Sequence, residues 1–209
     1  MILRALALTC GFLALPGCGS LFESSQPATQ AYVLRLPART PPADVPAGGS
    51  LRVQRPEAGP GLDSDRIAVL RSDRRFDFYS ATSWTAAAPD LLASVMVEQL
   101  RGSGRFSAVF DDSAAYPPTY NLRCSLGRFE ADYTAGGRAP TIQVALDCTF
   151  GRNRDRTLLA GFTARGSAVA AEDRTGAVVA AFETATAAAL GELERAIAAA
   201  LGAEKPAAS

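Results

Sequence analysis

Apolar residues recur at helical spacing near the end of the chain. Val179, Phe182, Leu190, Leu193, Ile197 and Leu201 lie on one stripe, with Thr186 completing steps of three and four residues. The pattern predicts a long helix from about Gly176. Glu183, Glu192 and Glu194 fall off the stripe. A helix of this length must bury its apolar side, most simply across a sheet. Ala185, Ala189, Ala196 and Ala200 would let it approach closely. A shorter helix is predicted after Pro89, which suits a first turn because its missing N–H costs nothing there. Leu92, Met96 and Leu100 recur on one side with Leu91 and Val95, and Gly102 and Gly104 end the run.

The rest of the chain alternates with a period of two. Tyr120, Leu122, Cys124 and Leu126 form one such run, and Ile142, Val144, Leu146, Cys148 and Phe150 another. The turn Ala135-Gly136-Gly137-Arg138 between them predicts a long antiparallel hairpin. Further strands are predicted at 32–36, 51–54, 106–110 and 157–169. A tighter hairpin is expected around Ser72-Asp73, with Ile67 and Val69 on one arm and Phe76 and Phe78 on the other. The four prolines within 37–49, and the EAGPG after Pro56, read as loop. The expected fold class is α+β: a mostly antiparallel or mixed sheet with two packed helices, one of them long and C-terminal.

The N-terminus carries a different signal. Arg4 precedes an apolar run at 6–15, too short to cross a hydrocarbon core of roughly 30 Å at 1.5 Å per residue. Residues 1–17 therefore read as a signal peptide. Leu15-Pro16-Gly17-Cys18 resembles the lipobox of bacterial lipoproteins, with Pro16 departing from the small or aliphatic residue usual at its position. Cys18 is the expected lipidation site, and its covalent lipid is the one non-protein group expected. Cys10 leaves with the leader. Residues 18–30 form a polar tether, 31–201 a single periplasmic domain and 202–209 a polar tail.

Composition narrows the chemistry. With no histidine, the Ser-His-Asp and Cys-His nucleophile systems and His-ligated zinc are excluded. No carboxylate pair stands out as a glycosidase site, and no metal-ligand spacing is present. No enzyme is therefore expected. Basic and acidic residues balance at 21 each, and losing Arg4 with the leader leaves 20 against 21. A near-neutral domain has no electrostatic reason to bind nucleic acid.

The whole succession resembles the ABC-type transport auxiliary lipoproteins, the PqiC-like family. It runs from lipobox and tether to Tyr32-Val33-Leu34 and Ile67-Ala68-Val69, then through RFDFYSATSWTAAAPDLLASVMVEQLRGSGRFSAVF to the alanine-rich last helix. The resemblance covers about residues 31–201. It implies a non-enzymatic accessory subunit of envelope transporters whose ABC and MCE-domain parts move phospholipids or other hydrophobic molecules. The implied partners are periplasmic or inner-membrane components of such a system, with the membrane reached through the lipid anchor. A homo-oligomer is compatible with this. Gly19 stands where inner-membrane lipoproteins often carry aspartate, so the outer membrane is the expected address and the inner membrane the alternative. A second reading makes the domain itself a lipid-binding module, holding an acyl chain between the sheet and the last helix.

Few side chains stand out as contacts. Trp84 either plugs the gap between helix and sheet or anchors a partner. Arg71, Arg74 and Arg75 are either solvated around their turn or touch headgroups or an acidic partner. Cys124 and Cys148 are directly opposed if the long hairpin centres on position 136. A disulfide is then expected in the oxidising periplasm, with a pair of buried free thiols as the alternative. The lipobox reading gives a direct test, because acylation needs the Cys18 thiol. Cys18→Ala is expected to lose the lipid mass increment and keep its leader uncut. A mutant still cleaved after Gly17 and still membrane-bound would show the reading to be wrong.

Overall fold

The long alternating runs form the spine of the sheet. The computed structural model describes residues 28–38 and 48–204. Strands β1 (Gln30–Tyr32), β2 (Leu51–Val53), β3 (Glu57–Ala58), β4 (Arg66–Leu70) and β5 (Phe76–Trp84) precede helix α1 (Ala88–Gly102). Strands β6 (Val109–Phe110), β7 (Tyr120–Asp132), β8 (Thr141–Arg152) and β9 (Thr157–Val169) lead to helix α2 (Thr175–Glu204). The expected leader, Cys18, most of the tether, most of the proline-rich loop and the end of the tail lie outside the described residues.

One edge of β7 takes β8 antiparallel along its whole length, and β9 adds outside β8 in the same sense. The other edge is shared end to end by three short strands, all parallel: β2 at Tyr120–Leu122, β3 at Ser125 and Leu126, and β4 at Glu130–Asp132. β4 turns into β5, and β1 and β6 add in parallel to β5 and β2. The fold class is α+β with a mixed sheet.

Leu122, Cys124 and Leu126 of β7 face the helices, and then Gly127 is inserted as a bulge between Leu126 and Arg128. The inward phase passes to odd numbers, burying Phe129 and Ala131, while β8 keeps its even ones from Ile142 to Phe150. Such an extra residue shifts which side chains face inward. Cys124 opposes Cys148, their Cα atoms 4.1 Å apart and their sulfurs bonded.

Both helices lie on this face, α2 across β9 and β8 and α1 beside β2 and β6. A Cβ on Gly166 of β9 would lie 1.9 Å from the Ala185 carbonyl oxygen and 2.7 Å from the Ala189 amide nitrogen. The α2 backbone thus rests directly on the strand, with Ala164, Ala185 and Ala189 buried around the contact. The Arg165 N–H, on the outer edge of β9, donates to Glu192 Oε2 at 2.8 Å. α2 is long and apolar enough to cross a membrane, but half of that stretch is buried inside the domain.

Several expectations change in detail. The first strand is Gln30–Tyr32, not 32–36, because the chain then leaves the sheet to run along α2. There the Arg35 N–H donates to Glu183 Oε1, and Gln99 Nε2 donates to the Pro37 carbonyl. Burial there extends to Glu194, off the apolar stripe as expected but not exposed. The 106–110 strand shrinks to Val109–Phe110, with Phe106 bridging Gly48 alone. Glu57 and Ala58, expected as loop, pair with β7, and α2 continues to Glu204 into the expected tail. Phe76 stays 43% exposed, its ring lying on Gly61 and edge-on to Phe78 on the far side of the sheet.

Gly166→Ala should lower stability by about 2–3 kcal/mol, the usual cost of overpacking. Gly161→Ala on the same strand, with open space at its Cβ, should stay within about 0.5 kcal/mol of wild type. Urea unfolding midpoints measure both, and equal small shifts would mean that the helix is not seated on Gly166. Material purified from the periplasm and denatured without reductant should resist alkylation at Cys124 and Cys148. Closing this loop stabilises by roughly 3.5 kcal/mol on the chain-entropy model. Free labelling of both thiols would refute the pairing.

Candidate functional site

Trp84 ends β5 and points inward. Only 1% exposed, it stands 5.1 Å from Phe182 of α2 and 5.7 Å from Phe129 of β7, ring centre to ring centre. The three rings lock helix to sheet, and such contacts add to area burial. The structure therefore places Trp84 as the plug, and removes it from the surface a partner could touch.

The basic cluster surrounds the β4–β5 turn. The Arg71 N–H donates to the Arg75 carbonyl and the Arg74 N–H to the Arg71 carbonyl, both at 2.9 Å, closing a three-residue loop. Arg74 takes the left-handed conformation, φ 66°, that such loops usually give to glycine. Arg75 binds Asp73 at 2.5 Å and Arg71 binds Asp77 at 3.2 Å. The Arg75 hydrogen bond holds the Asp73 carboxyl below its usual range. The Phe78 N–H, followed by Arg71, does the same for Asp77. Two of the three arginines are thus spent inside their own hairpin.

Beside it, the Tyr79 and Tyr133 hydroxyls are 2.7 Å apart and Tyr133 donates to Asp173. Burial, then the Asp173 hydrogen bond, pushes the Tyr133 phenol far up, so it stays protonated at any physiological pH. This chain ties the loop before α2 to β5 and β7.

A site the sequence reading missed lies on the face away from the helices. Asn121 and Arg123 of β7, Thr149 and Gly151 of β8 and Leu158 of β9 border an open groove of about 310 Å³. The β8–β9 turn closes it with Asn153 and Arg156. Arg123 Nε donates to Gln54 Oε1 at 2.7 Å. Arg152 is held by Asp155 and Glu204, which raise its pKa further, while Arg152 first of all lowers that of Asp155. The signal was present in the outward phase of the strands whose inward phase marked the core, and in the run RNRDR at 152–156. The groove offers cations and hydrogen-bond donors. Among the described residues, no group of His, Cys, Asp or Glu is placed to hold a metal ion. Cys18 lies outside the described residues.

The model of the family described as ABC-type transport auxiliary lipoprotein component matches residues 32–201. The crystal structure of a Xanthomonas campestris protein of the DUF330 family is 26% identical, with a TM-score of 0.73 over 84% of this chain and 100% of that one. A crystal structure of an uncharacterized protein shares the fold at 13% identity, with a TM-score of 0.60 over 85% of this chain and 100% of that one. No curated protein matches the sequence. With most of its length matched, from the first described strand into the last helix, this chain belongs to the ABC-type transport auxiliary lipoprotein component family.

Proposed function

We propose that the protein is a non-enzymatic accessory subunit, held by the lipid on Cys18 at the periplasmic face of the outer membrane. It links that membrane to the ABC and MCE-type components of a transporter for phospholipids or other hydrophobic molecules. Family membership supports the transport setting. Gly19, at the position after the lipidated cysteine, supports the outer-membrane address. The polar stretch Ser20 to Gln30 gives the domain a reach of roughly 40 Å at most, enough to search for a partner.

The observation that favours a docking body over a lipid carrier is the seat of α2 on β9. An acyl-chain binder needs an apolar cavity of roughly 300–1,000 Å³. The alternative reading would place it between sheet and last helix, where the Gly166 position leaves no space even for a methyl group. The cleft of about 480 Å³ beside α1 has charged walls instead, among them Arg55, Asp90, Arg101 and Asp112. The groove on the opposite face is open and bordered by Arg123 and Arg156.

Purifying the full lipidated chain in mild detergent tests the proposal. The expected result is co-purification with an ABC or MCE-type component, with no lipid beyond the chains on Cys18. One phospholipid per domain, released only on unfolding, would establish the lipid-binding reading instead.

A further inference from the structure

The groove on the helix-free face combines three properties. It carries uncompensated positive charge: among the described residues Arg123 bonds neutral Gln54, and Arg156 has no acidic partner. Asn121, Thr149 and Gly151 line it between the arginines, and Leu158 there is 64% exposed. It spans β7 to β9, about 10 Å at the usual strand spacing, the width of one extended chain.

Its place in the sheet is the third. The described chain joins the sheet at β1, beside Thr82–Trp84 of β5, and β1 runs parallel to β5. Residues 28 and 29 thus precede it on the side where β5 begins, the end at which β4 leaves β7 and β7 turns into β8. The groove occupies the other end, where β7 begins and β8 closes, on the far strands of the sheet.

We propose that the groove is the docking site for an extended, acidic segment of the transporter partner, a proposal that rests on the accessory role above. Carboxylates would meet the guanidinium groups of Arg123 and Arg156 on opposite sides. The partner's backbone would lie over Gly151, and one apolar side chain would cover Leu158. Charged contacts of this kind steer association and weaken with salt. Guanidinium and amide groups on both sides suit the carboxylates and peptide groups of such a segment.

The test uses the full lipidated chain in cells, with Thr149→benzoylphenylalanine as a photo-crosslinker and mass spectrometry to map what it captures. The expected product is a peptide with net negative charge from a component of the ABC system. Its yield should fall at least tenfold with Arg123→Glu and Arg156→Glu together, and recover when the carboxylates of the captured segment are changed to lysine. Both arginines are on the surface, so an unchanged melting temperature checks that the variants remain folded. Capture of phospholipid, of a second copy, or of a segment whose yield ignores the charge reversal overturns the proposal. Normal co-purification with the transporter but no crosslink from position 149 overturns the groove and leaves the accessory role standing. Failure of the wild-type chain to co-purify removes that role, and the groove's partner with it.

Discussion

The domain depends on how closely α2 can lie on β9. Helix and sheet usually meet through interdigitated side chains, but at Gly166 the helix backbone touches the strand itself. That contact requires glycine on the strand and alanines on the helix, and it sets the height of everything beside it. Because α2 sits low there, Phe182 reaches between Trp84 and Phe129, and Leu190, Leu193 and Ile197 fill the space further along. The same seat accounts for a helix apolar enough to enter a bilayer being a core element of the domain. It also covers one face only, so the sheet's other face remains available for recognition.

Much of this was legible because the two helices and three long strands keep a regular period. The opposition of Cys124 and Cys148 follows from a symmetric count about position 136. The count is right at the disulfide and off by one nearer the turn, because Gly127 adds a residue between them. A lone glycine in an alternating strand is a recognised bulge signal. The short strands were less legible. β1, β3 and β6 hold two or three residues each, and what makes them strands is a parallel partner far along the sequence. No local pattern encodes such a pairing.

The candidate site was harder to see than the fold. Hydrophobic periodicity reports the buried phase of a strand, whereas the groove is built from the outward phase of three strands and one turn. Arg123 and Arg156 are 33 positions apart, and each alone looks like an ordinary solvated charge. The arginines around Ser72 were conspicuous because they are close in sequence, yet that closeness lets Arg75 and Arg71 pair with Asp73 and Asp77. Trp84 shows the same lesson in reverse, since its exposure could be decided only by whether Phe129 and Phe182 close over it.

The position of β7 also bears on how the chain comes together. β2, β3 and β4 are all synthesised before the strand whose edge they share. Until residues 120–132 have emerged, β4 has its hairpin partner β5 and β2 can have β6, but the edges that β2, β3 and β4 give to β7 wait unpaired. Unpaired edges invite mispairing in proportion to their length. With three, two and five residues, these strands offer a wrong neighbour little to hold. Brevity makes them dependent on β7 and, for the same reason, safe while they wait for it.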